Sequence, residues 1–510
     1  MSSTTSLFPF AAGTVRSQTH ARLLAGLRGD LQDLQRQLAS GKRSETYGGL
    51  GDKRVSSLTF RSQTGVAEGY KSIVELTDIR LQVMTKRTDE LSKTIDGARS
   101  TLLRTRGSGG YPELTSAKQQ VQAAFEQVVT TLNAQHEGLF LFSGRSRDTR
   151  PVADANTLMF GDGSNAGLRQ VIDERRQADE GTTGLGRMVL SMPTVTSVRL
   201  AEDAVGNPFG IKHIAGSVGG SMSNVTVIGP AGAPPQLDVA LTGQPQAGER
   251  ISFTVRLPDG QTRSLGFSVA TAGTSDDTIF QLGATVADTA NNLNAAISSR
   301  LTALAQGELR SASAVQAARD FFSGSNTTQP PRVAGPPFNT STAPAPVGSR
   351  PTVIWYTGDD DTLVSARDTQ RAEIADGSSV GTGARANETA FKDSLIALGL
   401  FLAEDYPPNV TSTKDRFDAA AGRAIDILNT TGGPGALLEV NADFGRSTSQ
   451  VREAKTRHED QMLFLNGLLS EIENVKNEEV AIAMTSLQTR LEASYQATAT
   501  LSRLSLVNFL

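Results

Sequence analysis

Apolar residues recur at helical spacing at both ends of this chain. In residues 477–510, Val480, Met484, Leu487, Leu491 and Tyr495 are spaced 4, 3, 4 and 4, which places them on one stripe of an α-helix. Leu501 and Leu504 carry the apolar character into a tail, 504–510, that also holds Leu506, Val507, Phe509 and Leu510. Near the other end Leu24, Leu27, Leu31, Leu34 and Leu38 are spaced 3, 4, 3 and 4, a cleaner heptad. Two seams at opposite ends predict that the terminal helices are each other's partners and pack subunits together.

Between them the pattern predicts three outgoing helices, an interrupted middle and a helical return. The first helix spans about 18–40 and stops at Gly41, and the glycines of 48–51 make the next stretch a loop. A second, over 55–106, has Val74, Thr77, Leu81, Met84, Thr88, Leu91, Ile95, Ala98 and Leu102 alternating by 3 and 4. A third opens at Pro112 and runs to about His136, with Leu114, Ala117, Val121, Ala124, Val128 and Leu132 inward. The run 139–144 is too short for a helix and predicts a buried strand. Runs 249–257 and 261–270 flank Pro258-Asp259-Gly260, a hairpin with its turn residues in place. A helix is predicted over 288–305, a Pro-rich linker or surface excursion over 323–351, and a strand over 352–357. Helices return with Phe391, Leu395, Leu398 and Leu402, then Phe417, Ala421, Ala424 and Leu428. Next come Phe444, Thr448, Val451, Lys455, His458, Met462, Leu465, Leu469 and Ile472, with a phase shift at 474–477 before the terminal helix.

The fold class is therefore α+β, with long terminal helices pairing into a helical trunk around an inserted, mainly β outer domain. The expected division is an assembly helix over 1–41, trunk over 42–150, a β middle over 151–384 with an enlarged insert 182–351, trunk again over 385–475, and an assembly helix over 476–510. The trunk is expected to be built without the insert.

Composition agrees with helical arms plus loop-rich β structure: 38% of residues are hydrophobic, 5% aromatic, and 49 are Gly. The net charge of -4, with both signs interspersed, calls for neither nucleic acid nor an acidic membrane surface. With no Cys there is no disulfide framework, thiolate zinc site or thiol nucleophile. The first twenty residues lack a signal peptide's order of charge and apolar run. No run approaches the ~18 apolar residues of a membrane span, so no membrane insertion is expected.

Motifs that imitate chemistry have simpler readings. Asp359-Asp360-Asp361 lacks the Gly and Glu of a calcium loop and reads as a solvated turn. Gly41-Lys42 has Arg36 where a phosphate-binding loop needs its first Gly. Phe267-Ser268-Val269 sits in a hairpin strand without the final Gly of a nucleophile elbow. His20, His136, His213 and His458 are scattered, and His458 on its seam reads as a packing or interhelical hydrogen-bonding residue. No catalytic residue, cofactor or metal is expected, and an enzyme is not.

The two ends carry a resemblance. Leu38-Ala39-Ser40-Gly41-Lys42-Arg43 after a leucine heptad, and the run from Leu487-Gln488-Thr489-Arg490-Leu491 to Ala497-Thr498, resemble the paired ends of bacterial flagellins. Gly138-Leu139-Phe140-Leu141-Phe142-Ser143-Gly144, Trp355-Tyr356-Thr357-Gly358-Asp359 and the 504–510 ending resemble the hook-filament junction branch of that family. The likeness covers about 20–181 and 352–510. The loop after Arg43 lacks the family's Asp-Asp-Pro-Ala, and 182–351 exceeds a typical junction middle.

The resemblance implies a structural subunit exported through the flagellar type III channel without signal cleavage. It implies self-assembly into an extracellular ring at the hook-filament junction, with hook-associated proteins and flagellin as neighbours and an export chaperone on the C-terminal helix. A main filament flagellin, and a secreted adhesin using the insert, are the alternative readings. One seam of five or six residues, at ~1.5 to 3 kcal/mol each, gives on the order of 10 kcal/mol. Ordering a long helix costs ~1 to 2 kcal/mol per residue, offset only in part by its hydrogen bonds, so a terminal helix with one seam is marginal alone. The ends are thus expected to be disordered in the monomer and helical in the polymer.

Overall fold

Long helices occupy both ends of the chain and short strands its middle, an α+β fold. The computed structural model describes residues 10–107, 110–271, 278–408, 410 and 412–507, with side chains described between 18 and 500. The outgoing helices are α1 (Phe10–Ser40), α2 (Arg54–Thr105) and α3 (Tyr111–Leu132). Gly41 ends α1 at φ 66°, a left-handed conformation that glycine adopts without a Cβ clash. A short hairpin, β1 (Gln135–His136) and β2 (Leu139–Phe140), leads to α4 (Ala155–Phe160) and α5 (Leu168–Glu180). Eight strands follow: β3 (Met188–Thr194), β4 (Ser197–Glu202), β5 (Lys212–Ser221), β6 (Val225–Ala231), β7 (Gln236–Leu241), β8 (Arg250–Arg256), β9 (Thr262–Ala270) and β10 (Ile279–Gln281). Then α6 (Val286–Leu304) passes through a π-helical turn, Ala305–Leu309, into α7 (Arg310–Phe321). The return consists of β11 (Arg371–Ala375), β12 (Ser378–Gly381), α8 (Thr389–Leu402), α9 (Thr413–Asn429), α10 (Pro434–Glu473) and α11 (Asn477–Val507).

The chain divides into two compact units. The first comprises Met1–Leu76, Glu373–Ser378 and Val451–Leu510. Within it α1 and α11 lie side by side. They run antiparallel, because Gly41, just past α1, bonds Val475, just ahead of α11, whereas Arg28 reaches Tyr495 further along both helices. The unit's portions of α2 and α10 are antiparallel too, paired at Ser57–Glu473, Lys71–Glu459 and Glu75–Lys455. Ala67, Val74, Val451, Ala454 and Leu465 are buried. His458 stacks on Tyr70 at 5.5 Å, and its Nε2 lies 2.7 Å from the Ile374 carbonyl.

The second unit, Thr77–Ala372 and Ser379–Gln450, holds two four-stranded sheets ordered β3-β4-β7-β6 and β10-β9-β8-β5. Strict alternation builds the second sheet: Ile251, Phe253 and Val255 of β8 are buried, with Phe267 and Leu265 of β9 opposite the first two. Gly260 at φ 88° closes that hairpin. A capping box at Thr285 and Asp288 starts α6, which touches strands of both sheets and shares their core.

Several expectations need correction here. α3 ends at Leu132, not His136, because 135–136 turns outward to pair with Leu139–Phe140. Beyond that pair, Leu141 and Phe142 are buried without strand pairing, so 139–144 is not one buried strand. Residues 352–357 likewise make only single bridges at Thr352 and Tyr356. The Pro-rich stretch is not a free linker: Arg332 is buried and donates to Glu174 at 3.2 Å from Nε, and Arg350 donates to the same carboxylate at 2.8 and 2.6 Å. Nor does the helical structure stand without the insert, since α7 packs on α5, α8 and α9 and buries Ala314, Val315, Ala318 and Phe321. The division into units falls inside α2 and α10, not at 41, 150, 384 and 475.

Candidate assembly surface

The α1–α11 seam brings together most of the residues that the periodicity singles out. Val480 and Leu491 are 5% and 6% exposed, Met484 and Leu487 are half-buried, and so are Leu24, Leu27, Leu31 and Leu34. Leu38, at 38%, is at the exposed margin. Tyr495 is not a seam residue: at 42% exposure it lies beside the seam, and half-buried Ser494 takes the next inward place. Its ring and hydroxyl instead meet Arg28, whose Nε donates to Tyr495 Oη at 2.9 Å. The side chains of Leu501, Leu504 and the 504–510 tail lie outside the described residues. A seam with two fully buried side chains is thin for helices of 31 residues each.

Sequence reading missed a second stripe on α2. Val55, Leu58, Val66, Ile73 and Leu76 are all exposed, and Ser62 and Gly69 complete their 3 and 4 spacing. At about 100° per residue this stripe lies opposite the one carrying Thr64, Ala67 and Val74, which are buried. Leu463 and Phe464 of α10 and Ile482 of α11 are exposed as well. Half of the exposed large apolar side chains among the described residues fall in the first unit, which is little more than a quarter of the chain. The signal was present as a second alternation half a turn from the first, and was masked because the seam in 74–102 runs on one face only.

Other candidate chemistry resolves into packing. Asp359 is buried, not solvated: Arg145 donates to it at 2.8 and 2.9 Å and to Asp361 at 2.8 Å, and the Arg145 hydrogen bonds hold the Asp359 carboxyl below its usual range. His213 is buried with Nε2 3.0 Å from the Leu200 carbonyl, and burial pushes its pKa down. A cavity of about 400 Å³ beside the π-helical turn is lined by Arg263, Glu308 and Arg423, which are already engaged with one another and with Asp259. No group of three or more His, Asp or Glu that could hold a metal occurs among the described residues, and no described helix is long and apolar enough to cross a membrane. The buried ion clusters Glu174–Arg332–Arg350 and Arg176–Glu404–Arg310 had no sequence signal, because their members are far apart in the chain.

A scan of protein-family models finds no match for this chain, and no curated protein matches it.

Proposed function

We propose that this protein is a structural subunit of the bacterial flagellum, assembling at the hook-filament junction through its paired terminal helices. The observation that carries the proposal is the concentration of uncovered apolar side chains on the unit holding both chain ends. Apolar faces of this kind are stabilised by burial against neighbours, at roughly 25 cal/mol per Å² covered. The flagellin-like residues at 38–43 and 487–498 lie on that same unit. In this reading the flagellin-like architecture is a coiled-coil trunk of α1, α2, α10 and α11, and the outer part is the enlarged middle.

Immunogold labelling of purified flagella tests the proposal. A single ring of label where hook meets filament is expected. Label along the filament would assign the chain to the filament itself, and label on the cell surface but not on flagella would favour the adhesin reading.

The same reasoning predicts the behaviour of the dilute monomer. Protease is expected to trim both ends, leaving a core that begins within 42–60 and ends near 475, as read by mass spectrometry. Termini that survive as long as the core would mean that the thin seam suffices without neighbours.

A further inference from the structure

Both chain passages through the first unit break their helices at one level. Outgoing, α1 stops at Ser40 and α2 starts at Arg54; returning, α10 stops at Glu473 and α11 starts at Asn477. The two breaks are bonded to each other. Arg43 N–H donates to the Glu473 carbonyl at 2.6 Å and Val475 N–H to the Gly41 carbonyl at 3.0 Å, on either side of an antiparallel bridge between Lys42 and Asn474. Two backbone hydrogen bonds, at about 0.5 to 1.5 kcal/mol net each, are slight support for a pair of 31-residue helices. Gly41 and Gly51, both at positive φ, give the outgoing strand freedom to bend.

One side chain braces the base of this junction. The Glu473 carboxylate accepts from Ser57 Oγ at 2.6 Å, Arg61 Nε at 2.8 Å and Arg61 Nη2 at 2.5 Å. Both donors are on the first two turns of α2, so the last residue of α10 is fastened to α2 where the joint begins. Lys42 adds attraction from the joint itself.

We propose that residues 41–53 and 474–476 form a built joint and that ionised Glu473 is its lock. With the carboxylate charged and bonded to Ser57 and Arg61, the end of α10 is fixed on α2 and the two helix breaks are held in place for the backbone hydrogen bonds that join them. With it neutralised, the end of α10 is no longer fixed on α2, and the two backbone hydrogen bonds of the joint open more often. The inference concerns the chain while its terminal helices are paired, and it stands whether or not the flagellar reading does.

The electrostatics set the pH at which the lock works. Hydrogen bonding from Arg61, with Ser57 and the charges of Arg61 and Lys42 adding to it against an opposing burial cost, holds the Glu473 carboxyl down to about 2. Tyr47, also in the joint, adds a weak electrostatic pull on Arg61. Because the folded value lies below the unfolded one of about 4.3, the lock is fully present above that unfolded value and is lost as pH falls through about 2.

Hydrogen exchange on the full-length chain tests this, read at the amides of Arg43 and Val475. In Glu473→Gln at neutral pH these amides are expected to exchange about ten- to a hundredfold faster, with α2 from Leu81 to Leu102 unchanged. Ser57→Ala should give a smaller rise in the same place. Because the chain has no Cys, Lys42→Cys with Asn474→Cys can be cross-linked across the bridge. The cross-link should restore protection in the Glu473→Gln background. The wild-type to Glu473→Gln ratio should fall towards one between about pH 4.3 and 2. Equal protection in the two proteins at neutral pH, or a loss spread evenly into the α2 interior, would overturn the proposal.

Discussion

Leu487→Asp with Leu491→Asp yields a soluble chain whose second unit unfolds at the wild-type denaturant midpoint but which, under the proposed function, no longer joins hook to filament and leaves filament subunits in the medium. Leu491 is 6% exposed in the α1–α11 seam and Leu487 is half-buried one turn before it. A carboxylate at either place must lose water or force the helices apart, at several kcal/mol for a buried unpaired charge. The thin seam has little else to offset that cost. Trp355, the single tryptophan, is buried in the second unit beside Phe322 and reports on that unit's unfolding. A lowered Trp355 midpoint would mean that the terminal helix stabilises the whole chain, and normal junctions would remove it from assembly.

The second large effect lies in the buried ion cluster. Glu174→Ala leaves Arg332, equally buried, without its carboxylate and releases Arg350 from its bidentate contact. Removing one partner of a buried pair costs about 3 to 5 kcal/mol. At ~3 kcal/mol per M for a sizeable unit, the Trp355 transition should move about 1 M lower in urea. Glu174→Gln, which keeps the shape and an acceptor, should fall between. A midpoint unchanged in both variants would show that the Pro-rich stretch is held by its apolar contacts, Val333 and Phe338 against Phe209, and not by this charge.

The insert illustrates how tertiary contacts overrule composition. Pro, Gly and Ser density makes 323–351 read as an excursion, yet Arg332 and Arg350 anchor it because Glu174 of α5 sits where both can reach. The same holds for α7, whose small residues suit close packing. A chain with 190–345 replaced by a flexible linker is therefore expected to lose much of its second-unit stability, since α5, α8 and α9 would lose the helix that covers them.

What the sequence determined by itself is whatever depends on local period and turn chemistry. The leucine heptad, the long seam of α2, the β8–β9 hairpin with Gly260 in its turn, and the capping-box start of α6 follow from residues close together in the chain. Both terminal stripes could be read for the same reason, as could their pairing once two unmatched seams stood at opposite ends. Tertiary structure alone decided the rest. Whether Ser494 or Tyr495 faces inward depends on how α11 rotates against α1, and the burial of Asp359 depends on Arg145 arriving from far away in the chain. The Glu473 contacts to Ser57 and Arg61 exist because α2 and α10 run antiparallel in one register. A carboxylate carries no mark in sequence of the partners that folding will bring to it.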